Sequence, residues 1–185
     1  MKKTIFGLCI VIGIIGIYGL FTLCSIKPYT ENINTYTDKL TDLPVDNILV
    51  QKSKRIMFLR HGDKVVRAYN ISLGKQPVGA KTRRGDNKTP EGKYRIVSHN
   101  PHSAYHLSLK ISYPTEKQKQ QAQKNRYSAG NDIMIHGWPN RAPNLIFAEI
   151  HRKLDWTAGC IAVTDTEIEE IYELVKDDTP IVIEP

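Results

Sequence analysis

Cysteine is scarce in this 185-residue chain. There are three, and two of them, Cys9 and Cys24, fall in an N-terminal stretch, Thr4 to Ile26, that carries no charged residue. Residues 27–185 are left with Cys160 alone, which excludes an internal disulfide framework there. The chain also lacks internal repeats, zinc-finger spacings and a basic helix interleaved with aromatics, so nucleic acid is not an expected partner. The net charge of +7 comes from dispersed lysines and arginines. Such a surface suits anionic lipid or polymer as well as plain water.

An uncharged run of this length can span a bilayer. It exceeds the apolar region of most cleaved signal peptides and offers no good small-x-small cleavage site. Residues 1–26 are therefore read as a signal anchor, with the transmembrane part at residues 4–26. Lys2 and Lys3 stay on the cytoplasmic side of the inner (cytoplasmic) membrane, which sends the rest of the chain outward. Residues 27–46, with Pro28, Pro44 and several Asn and Thr, read as a linker. A lone thiol in an oxidising compartment is a hazard unless it is used.

From residue 47 the pattern is mainly β with a few helices. Strands are expected at Ile48 to Gln51, Arg55 to Arg60 and Lys64 to Leu73, with His61-Gly62-Asp63 as a hairpin turn. Gly74 to Gly92 is loop. Lys93 to His99 and Ala104 to Ser112 follow as strands, the second alternating with Tyr105, Leu107, Leu109 and Ile111 on one face. Thr115 and Gln118 form a capping box for a helix up to Asn125. Asp132 to Ile135 is a strand leading into His136, Trp138 to Leu154 an irregular connection, and Cys160 to Val163 a short strand. Thr166 with Glu169 caps a helix through Lys176, and Ile181 to Ile183 is the last strand. His99, His102, His106 and His151 are expected at the surface. No cysteine or paired carboxylate joins them at ligand spacing, so no metal is expected.

The chemistry centres on two clusters, Ile133-Met134-Ile135-His136-Gly137 and Asp155-Trp156-Thr157-Ala158-Gly159-Cys160-Ile161-Ala162-Val163. A cysteine acts as a nucleophile only as thiolate and needs a base. His136 can take the thiol proton and return it to a leaving amine. A backbone carbonyl can orient the imidazole, and Gly137 is the natural candidate. Backbone N–H groups near Gly159 and Cys160 can stabilise an oxyanion.

At these residues the chain resembles the YkuD-type L,D-transpeptidases, bacterial cell-wall enzymes, and within them the YafK-like murein L,D-transpeptidase branch. The resemblance runs from about residue 47 to 185. It includes Ser72-Leu73-Gly74-Lys75, Gly85-Asp86-Asn87-Lys88-Thr89-Pro90-Glu91-Gly92 and Ile111-Ser112-Tyr113-Pro114 as well as the two clusters above. It implies a YkuD-like β-sandwich catalytic domain acting on peptidoglycan stem peptides. Cys160 would attack the bond between meso-diaminopimelate and terminal D-alanine, and the thioester would pass to an amine on a second stem or on a wall-linked lipoprotein. Carried over, Cys160 is nucleophile, His136 base, the Gly137 carbonyl its orienting group, and Gly159 part of the oxyanion region, with no cofactor. Thr157, Trp138, Arg141 and Trp156 are candidate substrate contacts. Two departures stand out. The commoner motif Ser/Thr-His-Gly-Cys-apolar-Arg/Asn has Ala158 in place of its histidine and Ala162 in place of its Arg/Asn, leaving substrate carboxylate binding unassigned. Water in place of the amine would make the same site a hydrolase, and a non-catalytic wall-binding module is the remaining alternative.

Overall fold

The computed structural model describes residues 42–141, 148, 151 and 153–185. Among these residues the elements with full bounds follow one another as β1 (Asn47–Gln51), β2 (Ile56–His61), β3 (Lys64–Asn70), β4 (Gly92–Ser103), β5 (His106–Ile111), α1 (Glu116–Lys124), β6 (Met134–His136), β7 (Ile161–Ala162), α2 (Asp165–Leu174) and β8 (Pro180–Glu184). The expected signal anchor and all but the last five residues of the linker lie outside the described residues. Among those described, no helix is long and apolar enough to cross a membrane.

The strands form one mixed sheet in the order β3-β2-β1-β8-β4-β5-β6-β7. The β-sandwich expected from the resemblance is thus met as a continuous sheet with two halves. Strand β4 joins them: Gly92 to Arg95 pair with β8, and Ile96 to Ser103 pair with β5, with register shifts along the second half. Bulges of this kind are how a strand passes from one sheet to another. Pro101 sits in that second half, where β8 no longer pairs and a missing N–H costs little. One core serves both halves. Ile48 and Val50 of β1, Ile181 and Ile183 of β8, Ile96 of β4, Leu109 and Ile111 of β5, and Ile168 and Ile171 of α2 all belong to it.

Local signals place most elements. Gly62, with φ +56°, turns the β2–β3 hairpin where expected. Thr115 and Gln118 cap α1 reciprocally. Four readings are corrected. Strand β3 ends at Asn70 rather than Leu73, because the chain then leaves β2 and Ser72 bridges to Ala162 of β7. Helix α2 is capped by Thr164 and Glu167, not Thr166 and Glu169. Both pairs have the spacing, and the earlier start puts the Asp165 carboxylate where it accepts the Trp138 N–H at 2.7 Å. In the connection after Trp138, the described residues 148, 151 and 153 are helical rather than irregular. His151 is buried, and its carbonyl accepts a hydrogen bond from Ser72 Oγ at 2.8 Å.

Candidate active site

His136 ends β6, and Cys160 immediately precedes β7, which pairs in parallel with β6. That pairing brings two residues 24 positions apart into the same cleft, of about 450 Å³. Its walls are Lys75, Ser103, Tyr105, Asp132, Met134, His136, Trp156, Thr157, Ala158 and Cys160. The stretch carrying Cys160 is fixed at several points. The Thr157 hydroxyl donates to the Cys160 carbonyl at 2.8 Å and accepts the Gly159 N–H at 3.0 Å. Gly159 has φ +136°, and a Cβ there would lie 2.6 Å from the Lys88 carbonyl. Only glycine fits this approach. The Gly85 to Gly92 loop therefore acts from beneath as a support. Asp86 holds that loop together, accepting from the N–H groups of Thr82, Arg83 and Lys88 and from Lys81 Nζ. Burial alone would raise its pKa, but these donors outweigh that and hold it down at about 2.

His136 is 4 % exposed, and its Nδ1 lies 2.7 Å from the Gly137 carbonyl. Donation of the Nδ1 proton to that carbonyl leaves Nε2 as the acceptor. Two rings hold the imidazole. Tyr105 lies at 4.5 Å between centroids, and Trp156 at 5.6 Å in an edge-on contact. Burial depresses the His136 pKa to about 4, against the smaller opposing effect of the Gly137 carbonyl. Burial likewise pushes the Cys160 thiol above its ordinary value. The thiol donates to the Asp132 carbonyl at 3.5 Å. The resting site at neutral pH thus holds a neutral thiol and a neutral imidazole.

The depressed His136 pKa has a consequence for stability. The unfolded chain takes up this proton near pH 6.5, while the folded chain resists until about pH 4. Between those values the unfolded state binds more protons, so stability falls as pH falls. At pH 4 the loss reaches about 3 kcal/mol. Urea unfolding at pH 7 and pH 4 is expected to show that much more acid loss in the wild type than in His136→Gln. Equal acid losses would refute a buried neutral imidazole.

Of the residues expected at the site, Cys160, His136, Thr157 and Trp156 line the cleft, Gly137 holds His136, and Gly159 shapes the loop from behind. The Gly159 N–H is spent on Thr157. Trp138 and Arg141 do not line the cleft. Trp138 meets the His151 ring at a tilt with centroids 6.0 Å apart, and Arg141 is exposed. Tyr105, Lys75 and Asp132 were not singled out from the sequence. The alternation reading put Tyr105 on the inner face of a strand. Instead Ala104 and Tyr105 form the β4–β5 turn, and a φ of +64° at His106 resets the alternation, leaving Tyr105 40 % exposed at the cleft. His99 and His106 lie 2.7 Å and 2.6 Å from Asp177 and Glu169 respectively. Among the described residues, no three His, Cys, Asp or Glu side chains are grouped to hold a metal ion.

A mainly β domain that carries a thiol and a carbonyl-tethered imidazole into one cleft has the layout of the thiol acyl-transfer class. Residues 46–183 match the YkuD family model, the L,D-transpeptidase catalytic domain, and the chain belongs to that family. It is 26% identical over 147 residues to YafK of Escherichia coli strain K12, which carries an L,D-transpeptidase name, covering 76% of this chain and 50% of YafK. Among solved structures, Bd1075 of Bdellovibrio bacteriovorus matches with TM-score 0.51 and 26% identity, over 79% of this chain and 51% of that one. Pgp2, the helical cell shape determining protein of Campylobacter jejuni, shares the fold with TM-score 0.53 and 22% identity, over 83% and 55% of the two chains. The chain spans about half the length of these relatives.

Proposed function

We propose that this protein is a peptidoglycan L,D-transpeptidase that works through a Cys160 thioester, anchored in the cytoplasmic membrane by residues 4–26 with its catalytic domain outside. The observation that carries the mechanism is the 2.7 Å contact of His136 Nδ1 with the Gly137 carbonyl, within the cleft that also holds Cys160. It fixes the tautomer in which Nε2 is a base. The thiol turns from the Asp132 carbonyl towards His136 and gives up its proton as sulfur attacks the diaminopimelate carbonyl. The Gly159 N–H is engaged by Thr157, which leaves the Cys160 N–H to donate to the oxyanion. Collapse breaks the C–N bond, and His136 returns the proton to departing D-alanine. An amine on a second stem, or on a wall-linked lipoprotein, then attacks the thioester and releases Cys160.

With both groups neutral at rest, proton transfer accompanies attack and no standing thiolate is needed. The rate of thioester formation is therefore expected to hold as pH falls through 6.5 and to decline only towards His136's value of about 4. A decline centred near pH 6.5 would contradict the buried base. The deciding experiment is incubation of the full-length chain with tetrapeptide-stem muropeptides, read by mass spectrometry. Cross-linked dimers, or exchange of the terminal D-amino acid, are expected. Tripeptide stems without cross-links would make the enzyme a hydrolase, and an unchanged substrate would refute catalysis at this bond.

A further inference from the structure

We propose that Lys75 binds a carboxylate of the donor stem peptide and so supplies the anion recognition that Ala162 cannot; this rests on the peptidoglycan reading above. Ala162 is fully buried in β7 and has no polar group to offer. Lys75 lies in the wall of the cleft with Cys160 and is exposed to solvent. It has no ion-pair partner among the described residues. The other charged side chain in that wall, Asp132, is engaged by Lys110 at 2.9 Å. Lys81, the nearest lysine along the chain, is tied to Asp86 at 2.7 Å. The cleft thus presents one uncompensated positive charge to a ligand rich in carboxylates.

The position of that charge is built into the fold. The Thr157 N–H donates to the Leu73 carbonyl at 3.1 Å, and the Lys75 N–H donates to the Thr157 carbonyl at 3.0 Å. Gly74 bridges Thr157 in parallel, and its N–H donates to Thr89 Oγ1 at 2.9 Å. A Cβ on Gly74 would run into the Asn87 backbone and lie 3.1 Å from Gly159 Cα. The backbone that carries Lys75 is therefore fastened to the loop that carries Cys160, three residues from the thiol. A carboxylate held at Lys75 would be held in register with the sulfur, while a long flexible stem leaves the ammonium room to reach it.

The test separates binding from turnover. Affinity for tetrapeptide-stem muropeptides is measured calorimetrically with the full-length Cys160→Ala chain, alone and combined with Lys75→Gln or Lys75→Arg. Lys75→Gln is expected to weaken binding roughly tenfold, the size of one charge-assisted contact at an exposed site, and Lys75→Arg to keep most of the affinity. Stems amidated singly at the diaminopimelate, glutamate or terminal alanine carboxylate identify the partner. On the correct one, Cys160→Ala alone binds about tenfold less tightly and Lys75→Gln costs nothing further. Equal affinities with and without Lys75, a Lys75→Gln loss that persists on all three amidated stems, or no binding at all would overturn the assignment. Release of D-alanine by the wild-type chain reports on the peptidoglycan reading independently.

Discussion

Cys160→Ala is expected to leave a folded chain that forms no acyl-enzyme and turns over stem peptides at least about 10⁴-fold more slowly than wild type. The size follows from the chemistry: nothing else in the cleft wall can form the thioester. The Ser103 and Thr157 hydroxyls are the aliphatic alternatives there, but Ser103 accepts the Tyr105 N–H at 3.1 Å, and Thr157 is held between the Gly159 N–H and the Cys160 carbonyl. Folding should survive because the Cys160 thiol makes only weak sulfur contacts, with the Asp132 carbonyl and the Met134 N–H, and stands half-buried at the cleft. Intact-mass spectrometry after exposure to muropeptides, with thermal unfolding as the control, checks both halves. An adduct on the variant, or turnover near the wild-type rate, would remove Cys160 from the mechanism.

Asp155→Ala is expected to lower stability by about 3–5 kcal/mol, because it strands a buried charge. Asp155 lies 2.7 Å from Arg55 Nη2, and the two side chains are 7% and 4% exposed. Arg55 Nε reaches both carboxylate oxygens, and its Nη1 donates to the Lys52 carbonyl. The carboxylate also accepts the Leu73 N–H at 2.9 Å. Removing it strips the Arg55 Nε and Nη2 and the Leu73 amide of their carboxylate partner and leaves the guanidinium charge uncompensated, whereas replacing Arg55 with Met at the same time should restore much of the loss. Urea unfolding of the single and double variants decides. A single-variant loss under about 1 kcal/mol would mean the pair is not sealed from water. The same contact holds Leu73 beside Trp156 and Thr157, so the single variant should also lose activity beyond its loss of folded protein.

The contrast between these two residues shows what a sequence discloses. Cys160 and His136 were legible because the chemistry of each is rare and each sits beside a glycine. The capping box of α1 and the turn at Gly62 were legible because both signals lie within four residues. Asp155 was visible within its motif but had no assigned task, since its partner is 100 positions away. Lys75 stood in a quoted motif for the same reason: only the crossing of residues 71–75 from β3 to β7 reveals that it faces the thiol's cleft. Tyr105 was assigned to the wrong side because one positive φ at His106 breaks a two-residue period. Trp138 and Arg141 looked like cleft residues from their nearness to His136 in sequence. The Asp165 carboxylate and the ring of His151 hold Trp138 elsewhere.

Strand β8 lies between β1 and β4, in the middle of the sheet. Residues 47–70 can form their three-stranded meander early, but within the sheet they join the half that holds the cleft through a strand synthesised more than 100 positions later. During synthesis the thiol and the imidazole would stand on an unfinished sheet until residues 180–184 arrive. The sheet thus closes at its middle, not at an edge, and a chain cut before Pro180 is expected to leave the β1–β3 meander unjoined to the half that holds the cleft.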